Sequence, residues 1–462
     1  MIERFVWRCH ARVHGSRRLL GSVAATALIA SVPTVGLAGR GGGATGGAAG
    51  FGMAGKVRTD FGGDDVANAL AIQGDDRIVA AGRKGRAFAL ARYTPDGRLD
   101  RSFGTSGKLV TTFHLARAKE AVARHGAAAV AIAGNGTIVA AGGSGADFAL
   151  ARYLPDGRLD ATFGSGGKVV TDVGARPKLF ERYWQQGANA LAIQADGRIV
   201  AAGAGPGDFA LVRYTEDGRP DPSFGSGGMV FTSFGSSSAS PQAAQAVAVQ
   251  ADGKIIAAGG GGANNFALAR YLPDGRLDPT FGSGGKVVTG TAGDYAQACV
   301  LAIQPDGKII AAGEFGPRPV DSGSVVVRYT PTGDVDPSFG RGGKSLVRFV
   351  GITDNGGCGA VLDRRGRIVL AGYADLQVYG RNGSFHEEYY VRVSRLTRAG
   401  RLDAAFGRRG TTLTRFPLSP FVAAVALQRT GKIVAAGGSW RSRKLRHDFL
   451  LVRYRPNGRI DR

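Results

Sequence analysis

Residues 453–462 read RYRPNGRIDR, and residues 51–59 read FGMAGKVRT. Joined in that order they make one copy of a motif that elsewhere runs unbroken, as in RYLPDGRLDPTFGSGGKVVT at residues 270–289. The motif's Phe-Gly recurs at Phe51, Phe103, Phe163, Phe224, Phe281, Phe339 and Phe406, at intervals of 52 to 67 residues. In six copies an Arg is followed eight residues later by Asp, and three residues after that by the Phe, beginning with Arg92, Asp100 and Phe103. The seventh copy stops after Arg453 and Asp461. A repeat of this length, filled with short apolar runs and Gly turns, predicts a β-propeller. The split copy predicts closure, with the N-terminal strand completing the last blade and removing the open sheet edge between first and last blades. An open solenoid, the alternative, needs caps at both ends, and no cap sequence is visible. The expected fold is all-β: a seven-bladed propeller with four-stranded blades.

Each copy supplies four strands. ALAIQ at residues 69–73 alternates small and large apolar residues, as a buried strand does. Asp196-Gly197, Asp252-Gly253 and Asp306-Gly307 predict tight hairpin turns into IVAAG or IIAAG. FALARY follows, and Pro-Asp-Gly breaks the chain before GKVVT. By the closure argument GKVVT is outermost and ALAIQ lines the axis.

The expected domain organisation is an export signal at residues 1–38, a Gly/Ala-rich linker at 39–50 and the propeller at 51–462. Residues 1–20 carry Arg4, Arg8, Arg12, Arg17 and Arg18 against Glu3 alone. An apolar run follows at 21–37, and Gly36-Leu37-Ala38 fits a small-residue cleavage site. Ser16-Arg17-Arg18-Leu19-Leu20 looks like a twin-arginine signal, although Leu20 stands where Phe is usual. The expected location is therefore outside the cell or on its surface. Beyond the leader no apolar run is long enough to span a bilayer.

The 462 residues carry a formal net charge of +23, of which residues 39–462 keep +19. Basic residues gather late, at Arg364, Arg365 and Arg367, at Arg408 and Arg409, and at Arg441, Arg443, Lys444 and Arg446. Such a surface attracts anionic partners. The plainer reading is that the charge keeps the protein soluble. Cys299 and Cys358 occupy equivalent positions in successive copies and are expected as two buried free thiols, because a disulfide demands Cα atoms within about 7 Å. No zinc, haem or CxxC spacing occurs, and no cofactor or metal is expected.

Residues repeated in every blade read as structure. Arg92, Arg152, Arg213, Arg270, Arg328, Arg395 and Arg453 are expected to pair with Asp100, Asp160, Asp221, Asp278, Asp336, Asp403 and Asp461. A planar guanidinium holds a carboxylate and backbone carbonyls together. The functional alternative, Ca²⁺ binding by DGxxD turns such as residues 96–100, offers fewer oxygens than an EF-hand loop. The repeated Phe is expected to plug the gap between blades, with its Gly in an unusual backbone angle.

VLAIQPDGKIIAAG at residues 300–313, FALARYLPDGRLDPTFG at 266–282 and GKVVT at 285–289 resemble the delta-60 repeat family of bacterial propellers. The resemblance covers residues 51–462. It is weakest in the sixth copy, where CGAVLDRRGRIVLAG stands at 358–372 and VRVSRL at 391–396 replaces FALARY. It implies an exported or surface-associated propeller of undefined biochemical role, and no catalytic residues.

Function is therefore sought in loops. Those after GKVVT and IVAAG share one face and vary, and variable loops on a rigid scaffold are where binding usually sits. The candidates are residues 174–186, 314–323, 373–390 and 438–447. Within them Tyr183, Trp184, Tyr379, Phe385, Tyr389, Trp440, Arg441 and Arg443 have the chemistry of recognition anchors. A second candidate is a ring at the channel mouth made by the first residue of each inner strand: Asn68, Ala128, Asn189, Gln245, Cys299, Cys358 and Ala423. Its amides, Asn68, Asn189 and Gln245, can hold a polar ligand or channel water. The sequence shows no GxSxG, HExxH or phosphate-binding loop. Together these features predict a non-catalytic monomer that binds an extracellular or envelope partner, polymer or protein; an anionic one suits the charge, and nucleic acid is not expected. The alternative is a propeller hydrolase or lyase on a polar extracellular substrate, metal-assisted through His386, Glu387, His447 and Asp448 if those four converge.

Overall fold

Both faces of a typical blade strand are covered, and the sequence is apolar at consecutive positions to match. The computed structural model describes residues 50–113, 126–174, 187–206, 209–235, 243–261, 265–291, 296–316, 323–348, 352–379, 384–440 and 446–462. In it β4 (Ala87–Tyr93, AFALARY) is buried at every position. It lies third in an antiparallel sheet ordered β2 (Asp65–Ile72), β3 (Ile78–Lys84), β4, β5 (Lys108–Thr111). The described residues form seven such sheets and no helix. Blades 2 to 6 hold β6–β9 (residues 126–171), β10–β13 (188–232), β14–β17 (244–290), β18–β21 (296–348) and β22–β25 (352–416). Blade 7 combines β26 (Pro420–Leu427), β27 (Ile433–Trp440) and β28 (His447–Tyr454) with β1 (Lys56–Thr59). The seven-bladed ring closes as the split motif requires, with Lys56 opposite Val452 and Thr59 opposite Phe449. The first strand of each blade lies innermost, and β2 packs on β6 and β26.

The hydrophobic core is seven interblade layers. In the closing layer Leu70, Ile78 and Tyr93 of blade 1 pack with Phe51, Val434, Phe449 and Leu451 of blade 7. Tyr93 donates its hydroxyl proton to Thr59 across that seam at 2.8 Å, and Tyr153 does the same to Thr111 at the next.

The repeated Arg and Asp lie in these seams. Nε to Oδ2 distances are 2.8 Å for Arg92–Asp100, Arg152–Asp160, Arg213–Asp221, Arg270–Asp278 and Arg453–Asp461, 2.9 Å for Arg328–Asp336 and 2.7 Å for Arg395–Asp403. Each guanidinium also donates to a backbone carbonyl of the following blade: Pro155, Glu216, Pro273, Pro331, Arg398, Pro456 and, across the closure, Pro95. Each stacks on the motif's Phe, Arg92 over Phe103 at 4.5 Å and Arg453 over Phe51 at 4.4 Å. One side chain thus joins a turn, a ring face and the neighbouring blade. The Gly after the Phe has a φ of +51° to +57°, which frees its amide to reach the next blade. Gly104 donates to Asp156 at 2.9 Å, and Gly164 to Asp217 at 2.8 Å.

The innermost strand of each blade carries a β-bulge. Pairing shifts between Ala67 and Ala69, so Asn68 is an extra residue, and Ala128, Asn189, Gln245, Cys299 and Ala423 stand at the same point in their strands. These positions are therefore bulges and not strand starts, because the strand continues ahead of them by pairing with a longer neighbour. The bulge also explains the Gly of IVAAG. A Cβ on Gly82 would collide with the Val66 carbonyl oxygen, and one on Gly142 with that of Gly126.

Cys299 is buried and disulfide-bonded, which overturns the expectation of free thiols there. It is a bulge residue, and the extra residue lets the inner strand turn its side chain out of the ordinary alternation. The expected export signal and linker, residues 1–49, lie outside the described residues. Among the described residues no helix is long and apolar enough to cross a membrane.

Candidate functional site

Blade 6 departs from the others where its sequence departs from the repeat. Its β23 (Ile368–Tyr379) and β24 (Phe385–Leu396) have 12 residues each, against 7 in β3 and β4. Their ladder continues unbroken from Ile368↔Leu396 to Tyr379↔Phe385. The additional five residues carry this hairpin roughly 16 Å further along the variable face.

Polar and aromatic groups line that extension. Tyr389 donates to Glu387 Oε2 at 2.6 Å, and Tyr390 donates to Glu388. Arg415 lies 2.9 Å from Glu388 Oε1, and His386 Nε2 lies 3.6 Å from the same oxygen. The Tyr390 hydrogen bond and the Arg415 charge hold the Glu388 carboxyl below its usual range, while the same hydrogen bond pushes the Tyr390 hydroxyl up. A tyrosine, a carboxylate, an imidazole and a guanidinium thus stand together on a projecting edge, able to bind polar groups of either charge.

A second group lies where blades 7 and 1 meet. Trp440 packs against His447 with ring centroids 3.9 Å apart and planes tilted by 42°. His447 Nδ1 is 2.8 Å from Asp64 Oδ1, its amide donates to the same oxygen at 3.1 Å, and Arg83 lies 2.7 Å from Asp64 Oδ2. Burial opposes the charge on Asp64, but the His447 hydrogen bond and Arg83 outweigh it and hold the carboxyl well below the usual range. With Asp64 ionised, the His447 Nδ1 carries the proton. Between blades 1 and 2 the same face has a cleft of about 220 Å³ with Lys84, Arg86, Thr112 and Phe113 in its wall.

The four residues of the hydrolase alternative do not form one group. His386 faces Glu388, His447 faces Asp64, and Asp448 faces Arg58 at 2.8 Å. The channel amides are engaged with protein. Asn68 Nδ2 donates to Ala127 at 2.8 Å and Asn189 Nδ2 to Ala244 at 3.0 Å, each carbonyl belonging to the next inner strand. Gln245 is fully buried. Tyr183, Trp184, Arg441 and Arg443 lie outside the described residues, and the backbone places Tyr379 and Phe385 opposite one another at the tip of the blade 6 hairpin. The sequence reading missed Asp64 and Arg83, whose only signal was their place beside variable loops.

Several solved structures are similar. A Lactobacillus plantarum protein is 14% identical over 69% of this chain and 83% of its own, with a TM-score of 0.41. The polysaccharide lyase Uly1 is 11% identical over 84% of this chain and 90% of its own, with a TM-score of 0.40. PorZ, a surface component of the Porphyromonas gingivalis type-IX secretion system, is 11% identical over 84% of this chain and 50% of its own, with a TM-score of 0.39. No curated protein matches the chain. Blades 1 to 5, at residues 73–103, 133–163, 194–224, 250–281 and 304–339, match the DUF5122 β-propeller, a domain of unknown function.

Proposed function

We propose that the protein is an exported, non-catalytic propeller that uses its variable face to bind an extracellular or envelope partner, polymer or protein. The observation that carries this reading is the blade 6 extension. Among the described residues one blade lengthens its β23–β24 hairpin, which carries His386, Glu387 and Tyr389 beside Arg415 of the neighbouring β25. The tilted Trp440–His447 ring pair at the closure supplies an aromatic surface on the same face. The basic leader, its small-residue cleavage site and the resemblance to delta-60 repeats support export, with residues 1–38 as signal and 39–50 as linker. The excess of positive charge favours an anionic partner.

The test is co-sedimentation of residues 39–462 with the organism's own envelope fraction at low and high salt. Saturable binding that weakens in Tyr389→Ala and Trp440→Ala, and not in Arg158→Ala on the opposite turns, supports the reading. Binding lost only at high salt assigns the affinity to the basic surface. No binding at either salt sinks it.

A further inference from the structure

Three carboxylates meet at the ring closure. Asp60 lies in the junction between β1 and β2, Asp65 begins β2, and Asp448 is in β28. One oxygen of each lies within 4.8 Å of the other two, and among the described residues no other three such groups come together. Asp65 is 0% exposed and Asp448 is 4% exposed, whereas Asp60 is half-buried and opens the group to solvent.

The two buried carboxylates, Asp65 and Asp448, each have one oxygen engaged with protein. Asp65 Oδ2 accepts from the Phe61 amide at 2.7 Å, Asp60 Oδ1 from the Gly62 amide at 2.6 Å, and Asp448 Oδ2 from Arg58 at 2.8 Å. Asp448 Oδ1 is buried with no hydrogen-bond partner, and so is Asp65 Oδ1, although the Gly63 amide approaches the Asp65 carboxylate. Buried polar atoms are nearly always paired, and an unpaired buried carboxylate oxygen calls for an unseen cation or proton. Arg58 is 46% exposed at its side chain, Lys84 acts on Asp65 at a distance, and Lys108 is bonded to the Asp60 carbonyl at 3.1 Å.

We infer that Asp60, Asp65 and Asp448 form a Ca²⁺ site that staples the N-terminal strand and its junction to the last blade. The donor set is all oxygen, which selects a hard cation. Three carboxylates fixed on three chain segments favour Ca²⁺, which takes about six to eight oxygens in flexible geometry, over Mg²⁺, which demands a near-ideal octahedron, keeps several waters and is usually held by one or two carboxylates. Water completes the coordination from the Asp60 side. The site is particular to the closure. In the other outer strands the position of Arg58 is an exposed apolar residue, such as Val110 or Val170. Asp172, at the position of Asp60 in blade 2, makes the same turn contact to Gly174 at 2.7 Å without a group of three.

The experiment is calorimetric titration of chelator-treated protein, residues 39–462, with Ca²⁺ and separately with Mg²⁺, alongside thermal unfolding at each concentration. The expected result is one Ca²⁺ per chain with a Kd of about 1 mM or tighter, and a Tm that climbs with Ca²⁺ as mass action requires. Asp65→Asn and Asp448→Asn each weaken Ca²⁺ binding by about tenfold or more, since affinity follows ligand charge. Asp172→Asn leaves it unchanged. Metal-free Asp65→Asn unfolds at or above the temperature of the metal-free parent, because it removes an uncompensated charge. Absence of saturable Ca²⁺ binding by the unsubstituted protein, preference for Mg²⁺, or Ca²⁺ binding undiminished in both variants overturns the assignment.

Discussion

The amide of Gly52 donates to the carbonyl of Asp96 at 3.1 Å. That bond crosses from the strand that completes blade 7 to a turn of blade 1, and it repeats the Gly104–Asp156 bond between blades 1 and 2. The closure uses the same chemistry as the other seams, with Phe51 packed 2.6 Å from where a Cβ on Gly97 would stand. Deleting residues 51–59 removes one Phe plug, one Gly–carbonyl bond and the outer strand of blade 7. Unfolding by urea should then lose its single transition and expose the blade 7 edge to aggregation. A truncated protein that keeps one transition with an unchanged midpoint contradicts a closed ring.

Arg270 is bound to Asp278, to the Pro331 carbonyl and to Thr280 Oγ1, and it stacks on Phe281. Arg270→Ala strands a carboxylate that is 1% exposed. The expected loss is about 3 kcal/mol, because removing one member of a buried pair leaves the other with only Lys254 Nζ, at 3.4 Å, as counter-charge. Denaturant midpoints compared with Arg158→Ala, an exposed pair expected to cost less than about 1 kcal/mol, measure it.

Acid should unfold the ring late. Burial raises the Asp278 carboxyl, but hydrogen bonds from Thr280 and the Arg270 charge outweigh that and hold it down to about 2. Asp100, Asp160, Asp221, Asp336, Asp403 and Asp461 are shifted down in the same way. A carboxyl depressed in the folded state stabilises above its unfolded pKa, and that contribution is lost as pH falls through the folded value. Tm should therefore hold from pH 7 to about 5 and fall between about pH 4 and 2. A fall centred near pH 6 would implicate histidine instead.

Gly82→Ala tests the bulge. The new Cβ meets the Val66 carbonyl oxygen, which the strand pairing cannot move away, whereas a Cβ on Gly74 meets nothing within 4 Å. A loss of about 3 kcal/mol is expected for Gly82→Ala, and none measurable for Gly74→Ala. Equal midpoints would mean that the bulge yields.

The ring was legible because its determinants are local and repeated. Arg453 and Asp461 stand at the same spacing as Arg92 and Asp100, and the missing Phe-Gly is present at Phe51. Bulges left a weaker trace, since Asn68, Ala128 and Cys299 share no side-chain chemistry and only the Gly opposite them is constant. The blade 6 extension was visible as departure from the repeat, but not as twelve-residue strands, because LQVY at residues 376–379 reads as loop as readily as strand. Asp60, Asp65 and Asp448 could not be joined from sequence, as the closure alone brings residues nearly 390 positions apart together. The Cys299 disulfide contradicts a judgement made from ordinary strand spacing, which a bulge does not keep.

The closing ladder also has a direction of weakness. Lys56 enters β1 opposite Val452, and β28 runs on from there toward Asp461, so both chain exits leave from one end of the ladder. A load applied between those exits would break the Phe51–Asp461 and Arg453–Gly55 backbone bonds first, then peel Lys56 from Val452 and open the pairs in succession toward Thr59 and Phe449, instead of shearing all of them at once. A propeller tethered through both exits is thus built to yield like a zip, whereas one held by its variable face carries load across seven whole seams.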